Sequence, residues 1–362
     1  MSTSSASSPE NTSSRVSRSQ WRDFEVIRTV GVVVIALAAT WYLMLQLAPI
    51  LRPLLIATFL AYILMPYHVQ LRCHVGTPAS LAILAGSTAL LLVVVGLITY
   101  ASLLELADEI PTLQQRAVEI STQVEHAITA YAPWLNNSRE TGAPPSIDQP
   151  VAALVRSVVV ASATTALEAC VVALYLLFLL IEGSRLPERV RRAYTPQRAE
   201  EILQVADQVN AAALSYLRAK IRASLLLAVP VGIVLWIMGV KFWLLWMVLT
   251  FLGNFIPYIG SVIAYLLPVG FAFLWFGLTW PPVVVAILLL VCHLSSSAVI
   301  EPLIIGHAVG VSPLVILGSL AFWGLVWGLP GMFLAVPLTV VATLVMEHFE
   351  QTRPIARLLK GV

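Results

Sequence analysis

LGNFIPYIGSVIA (Leu252–Ala264) opens a tract from Phe251 to Pro337 in which apolar runs are repeatedly broken by glycine and proline. VIEPLIIGHAVGVSP (Val299–Pro313) and WGLPGMFLAVP (Trp327–Pro337) supply the other breaks. Proline removes a backbone donor and clashes with the preceding turn, and an interior glycine weakens a helix. A bundle that only had to fill a bilayer would avoid both. Non-helical backbone is tolerated at membrane depth only where protein buries it or a watery cavity hydrates it. Broken apolar segments therefore point to a transport pathway. The tract predicts an all-α polytopic transmembrane bundle with broken or re-entrant segments near Pro257 and Pro330.

Composition agrees. Of 362 residues, 59% are hydrophobic and 11% charged, against ~45–50% apolar and ~25% charged in soluble domains. Cys73, Cys170 and Cys292 lie far apart, so they form no disulfide framework or metal spacing and read as small buried hydrophobes. No cofactor site and no nucleic-acid module is visible. An intramembrane enzyme is disfavoured: there is no HExxH, no aspartate within a predicted span, and no glycine after Gly260-Ser261 to make a rhomboid-like site.

Taken in order, residues 1–24 read as a disordered, Ser/Thr-rich cytosolic tail. Arg15, Arg18, Arg22 and Arg28 then precede an apolar run, Thr29–Ala48. Ala36-Leu37-Ala38 imitates a signal-peptide cleavage site, but Trp41–Leu45 carries the run onward, so an uncleaved first span is expected. A reversal at Pro49–Pro53, a short second span ending at Pro66, a polar link Tyr67–Gly76 and a third span complete transmembrane helices 1–3 over 25–103. Leu103, Leu106, Ile110, Leu113, Ala117, Ile120, Val124 and Ala127 follow at heptad spacing. They predict an extracytoplasmic amphipathic helix, bent near Pro111, with a loop completing 104–154. Its seam would pack on a neighbouring helix or on another copy of the chain. Residues 155–182 form the fourth span, 183–222 a basic, cytosolic amphipathic segment, 223–349 the C-terminal transmembrane core and 350–362 a cytosolic tail.

Orientation follows from the basic residues. Cytosolic termini put 16 of the 21 Lys/Arg inside, while Glu105–Asp148 carries seven acids against Arg116 and Arg139. Both termini inside require an even number of crossings: about eight, or ten if the broken tracts each cross twice.

Glu301 is the sharpest functional candidate. It follows His293 and Ser295-Ser296-Ser297 inside an apolar run and directly precedes Pro302. A carboxylate in a membrane helix is costly and usually faces a cavity or a partner. Glu168, near the middle of the fourth span, is a second acid of this kind. Pro257 denies the Gly253 carbonyl its helical donor, so Asn254, Tyr258 and Gly260 at that break could line a path for a polar cargo. Gly306 and Gly310 fit GxxxG, and Pro313 starts the last helical tract. Gly328, Pro330, Gly331 and Pro337 serve as hinge or packing positions.

IPYIG, EPLIIG followed by GVSP, and WGLPGMFLAVPL resemble the signature segments of the AI-2E transporter family. The likeness is dense over Leu225–Glu347 and looser over Thr29–Ser184. It implies a bacterial inner-membrane permease that exports a small polar solute such as autoinducer-2, or exchanges Na+ or Li+ for protons. It also implies a homo-oligomer, with a pentamer as one form. A passive channel or a membrane scaffold is the alternative.

Overall fold

The computed structural model describes residues 13–131, 168–183, 185–305 and 310–360. The predicted loop, the first part of the fourth span and Gly306 lie outside them. The described chain is helical, and its one pairing of extended backbone is an isolated antiparallel bridge, Val311 to Lys360. Met1–Leu51 and Arg52–Val362 form two compact units.

The first unit contains helix α1 (Ser13–Gln46). Residues 13–24, expected as part of a disordered tail, are helical, because extending an existing helix costs far less than nucleating one. Helix α2 (Ala48–Val75) runs through Pro53 and Pro66, so neither proline ends a segment and the expected polar link is helical. Helix α3 (Thr77–Tyr131) is one continuous 55-residue element, and Pro111 does not interrupt it. Helix α4 (Glu168–Gly183) is bent by 52° against α5 (Leu186–Ala193). Helix α6 (Pro196–Ile237) joins the expected surface segment and the fifth span without a break. There follow α7 (Trp243–Gly253), α8 (Ile259–Phe276), α9 (Trp280–Ser295), a π-turn (Ser296–Ile300) and α10 (Glu301–Ile305). Last come α11 (Pro313–Trp327), α12 (Leu329–His348) and α13 (Arg353–Leu359).

Among the described residues, seven helices are long and apolar enough to cross a membrane, eight when α4 and α5 count as one bent span. Their apolar side chains face outward as much as inward: Leu90 is 64% exposed and Ile237 70%. Lipid, not protein, is the partner such faces need. The same inversion corrects the cysteine reading, since Cys73 and Cys170 are exposed and Cys292 is half-buried.

Helix α6 ties the second unit together. Its later turns, through Leu227, Val231 and Leu235, pack with Trp246 of α7, Phe271 of α8 and Leu289 of α9. Its middle, through Tyr216 and Leu217, packs with Phe59 of α2 and Leu334 and Val340 of α12. Helix α4 belongs to a third cluster, in which Val172, Leu176 and Leu180 meet Ala57 of α2 and Leu81 of α3.

The heptad seam on α3 packs within the chain over its first half, where Leu103, Leu106 and Leu113 join the α6–α9 cluster. Polar contacts hold this end. Lys241, in the α6–α7 turn, bonds Glu109 at 2.7 Å and Glu105 at 3.2 Å, while Arg116 lies over the Trp275 ring. The Glu109 hydrogen bond, with Glu105 adding to it, lifts the Lys241 pKa above the ordinary 10.5. A lysine shifted this way stabilises the fold fully below its unfolded pKa and loses that contribution as pH climbs through the folded one. Lys241→Gln is therefore expected to destabilise the protein at neutral pH by ~1 kcal/mol or less, as for other partly exposed pairs, and so to lower the thermal midpoint. Wild type and variant should converge in strong alkali, which a pH series of melting curves would check.

Candidate functional site

The first break lies where the sequence puts it, between α7 and α8. Helix α7 has 11 residues, about 16 Å at 1.5 Å per residue and too short for a ~30 Å hydrocarbon core. Its end, with Asn254, therefore stops inside the bundle. The chain reverses through a γ-turn centred on Tyr258, with φ 63° and ψ −63°, closed by Ile259 N–H donating to the Pro257 carbonyl at 2.7 Å. This left-handed conformation is strained for a tyrosine. The Gly253 carbonyl, expected to be free, accepts from Ile256 N–H at 2.9 Å. The break therefore satisfies that carbonyl locally and offers the cavity a side chain instead. Asn254, 2% exposed, donates through Nδ2 to Ser224 Oγ of α6 at 3.0 Å.

Glu301 reaches the same place from the other direction. Proline at 302 has no N–H to continue the ladder and crowds the carbonyl of Ala298. Just before it, the helix widens into one π-turn, with Glu301 N–H bonded to the Ser296 carbonyl five residues back. One extra residue re-phases the helix by about 100°. Glu301 Oε1 then lies 2.6 Å from Lys220 Nζ of α6, with the lysine side chain 5% exposed and the glutamate 30%. Tyr216, Lys220 and Ser224 are all buried and recur every fourth residue, so one stripe of α6 faces both Glu301 and Asn254.

Between these elements lies a cavity of about 270 Å³. Asn254, Ser261, Tyr265, His293, Ser296 and Glu301 line its polar side, and Leu227, Leu266 and Leu290 its apolar side. Two buried polar atoms in this lining, His293 Nε2 and Ser296 Oγ, have no protein partner. The His293 ring stands edge-on to Tyr265, whose hydroxyl donates to the Ala286 carbonyl at 3.3 Å. Buried polar groups normally pair, so this lining is ready for a ligand or for water.

The remaining candidates fall elsewhere. Glu168 is exposed on α4, whose apolar face packs on α2 and α3, and it does not line the cavity. The Tyr258 side chain is 53% exposed and also stands outside the lining. Pro257 and Gly260 shape the break. Pro302 sets the π-turn, Gly310 has φ 50° in the approach to α11, and Pro313 is the first residue of α11. The second break falls on Gly328 (φ 70°, ψ −145°), while Pro330, Gly331 and Pro337 lie inside α12. Pro337 is buried, in a hairpin where Thr339 donates to Ser319 Oγ at 2.6 Å.

Lys220 was not among the candidates, because Arg218 and Arg222 beside it make the stretch read as a basic surface. The available signal was its place on the stripe that continues into Leu227, Val231 and Leu235.

The sequence matches known proteins over most of its length. The family model described as AI-2E family transporter matches residues 31–351. Over 352 residues, 93% of this chain and 96% of the other, the sequence is 28% identical to the AI-2 transport protein TqsA of Escherichia coli (strain K12). It is 39% identical over 77 residues, 21% of this chain and 22% of the other, to the putative transport protein YhhT of Escherichia coli (strain K12). A putative transport protein of Haemophilus influenzae is 38% identical over 78 residues, 22% of each chain.

Proposed function

We propose, from the premise that this chain belongs to the AI-2E transporter family, that it carries a small polar solute outward across a bacterial inner membrane, with proton coupling at Glu301. One observation carries the reading: Asn254 and Glu301, far apart in sequence, border a single cavity whose lining includes buried polar atoms without partners. A structural kink alone would leave no such lining. Its volume of about 270 Å³ suits a small cargo with a few waters, each of which takes ~30 Å³.

The charge distribution supports cytosolic termini, and eight crossings, with α4 and α5 counted as one, would return the chain to the side where it began. We take the working form to be a homo-oligomer. Glu301 is the one acid in the cavity lining, so proton coupling falls to it alone, and Glu168 is left without a part in the path.

The test is flux in proteoliposomes under an imposed pH gradient, with autoinducer-2, Na+ and Li+ as cargoes. A carrier saturates and moves its cargo uphill, a pore only dissipates gradients, and a scaffold moves nothing. Glu301→Gln is expected to reduce pH-driven flux to background. That variant alone strands the Lys220 ammonium, so Lys220→Met/Glu301→Gln serves as the folded control and should be equally inactive. Undiminished flux in Glu301→Gln would overturn the assignment.

A further inference from the structure

We propose that Lys220 is a built-in counter-ion that keeps Na+ and Li+ off the Glu301 carboxylate and reserves the cavity for uncharged, hydroxyl-bearing solutes. The inference rests on the transport reading above and narrows its cargo.

The argument starts from position. A hard cation binds carboxylate oxygens at roughly 2–2.6 Å, and Lys220 Nζ already stands 2.6 Å from Glu301 Oε1. An alkali ion sharing that carboxylate would sit within a few ångströms of an ammonium group whose side chain is only 5% exposed, where their repulsion is damped less than in bulk water. The lysine is also held in place. It is 4% exposed, one turn from buried Tyr216 and one turn from buried Ser224, so it has no solvated position to swing into. A surface lysine would simply yield to an incoming ion.

The rest of the lining points the same way. Lys220, paired with Glu301 from outside the lining, offsets its charge, and Asn254, Ser261, Tyr265 and Ser296 offer uncharged donors and acceptors. Ser296 Oγ and His293 Nε2 belong to lining residues and are buried without protein partners, so a side-chain rotation toward the cavity would let them pair with hydroxyl groups. A net-neutral, largely apolar site with a few hydrogen-bonding groups matches a small hydroxyl-bearing compound better than a bare ion.

Radiolabelled Na+ binding to the purified full-length protein at neutral pH tests this directly. Wild type should show no saturable binding. Lys220→Gln should gain it, at least ~10-fold tighter than wild type, and Lys220→Gln/Glu301→Gln should lose it again. Should Lys220→Gln fail to fold, Lys220→Cys in a background with Cys73, Cys170 and Cys292 replaced by serine decides the question. It should bind Na+ before alkylation with bromoethylamine and not after, because that reagent restores a cationic side chain. Wild-type binding as tight as the variant's, no gain on removing Lys220, or a gain that survives loss of Glu301 would each overturn the proposal. The binding assay needs no flux, so silent proteoliposomes would count against the transport reading alone.

Discussion

Gly260→Ala is expected to destabilise the protein by at least ~4 kcal/mol, enough to abolish a monodisperse product in detergent. A Cβ built on Gly260 would stand 1.7 Å from the Gly253 carbonyl oxygen and 2.6 Å from its carbon. Both are backbone atoms, so no rotamer change relieves the clash. The carbonyl cannot swing aside cheaply, because it accepts from Ile256 N–H at 2.9 Å in the short segment that turns α7 into α8. That segment already contains the strained Tyr258, so the surrounding packing has fixed it once. Moving it would carry Asn254 away from Ser224 and spoil the cavity. Gly331→Ala should behave alike, since its Cβ would meet the Trp323 carbonyl at 2.0 Å and close off the α11–α12 approach. Gly270→Ala is the control: nothing lies within 4 Å of its Cβ, and the exchange sits inside α8. It should stabilise by ~0.5–1 kcal/mol. Thermal midpoints of the three purified variants decide the matter, and a Gly260→Ala midpoint close to wild type would show that the two carbonyl-bearing segments are not locked together.

These glycines also mark what the sequence could convey. Helix breaks are local events, made by Gly and Pro, and both breaks appear where IPYIG and WGLPG place them. The apolar runs fixed the fold class because lipid imposes a length and a composition that soluble cores do not. Other prolines misled the reading: Pro53, Pro66 and Pro111 sit in helices that continue through them, since neighbouring turns and packing absorb one missing bond. The site was legible in halves. Asn254, His293 and Glu301 were visible as polar residues in apolar surroundings, and the fold brings all three to one cavity. The π-turn was not visible, because a five-residue hydrogen-bond step leaves no residue pattern of its own. Glu168 falls outside this cavity for a related reason. Position within an apolar run says nothing about which cluster a helix joins, and α4 packs on α2 and α3.

Lys220→Met is expected to cost ~3 kcal/mol. The estimate stands at the lower end for a broken buried pair, because the Glu301 side chain keeps 30% exposure while Lys220 keeps 5%. The loss comes less from the missing attraction than from the carboxylate left desolvated beside Tyr216 and Ser296. It follows that removing the second charge should repair most of the damage. Lys220→Met/Glu301→Gln is expected to recover to within ~1 kcal/mol of wild type, giving a coupling energy of ~2 kcal/mol or more in a double-mutant cycle. Denaturant or thermal unfolding in detergent provides the four stabilities. If the pair exists only to hold α6 against the π-turn, the repaired double variant should also transport. If Glu301 carries the proton, the double variant should be stable and silent, and a fold restored without flux separates the two roles. A coupling energy below ~0.5 kcal/mol would mean that the two charges scarcely interact, and neither proton coupling through a paired Glu301 nor cation exclusion by Lys220 would then have a physical basis.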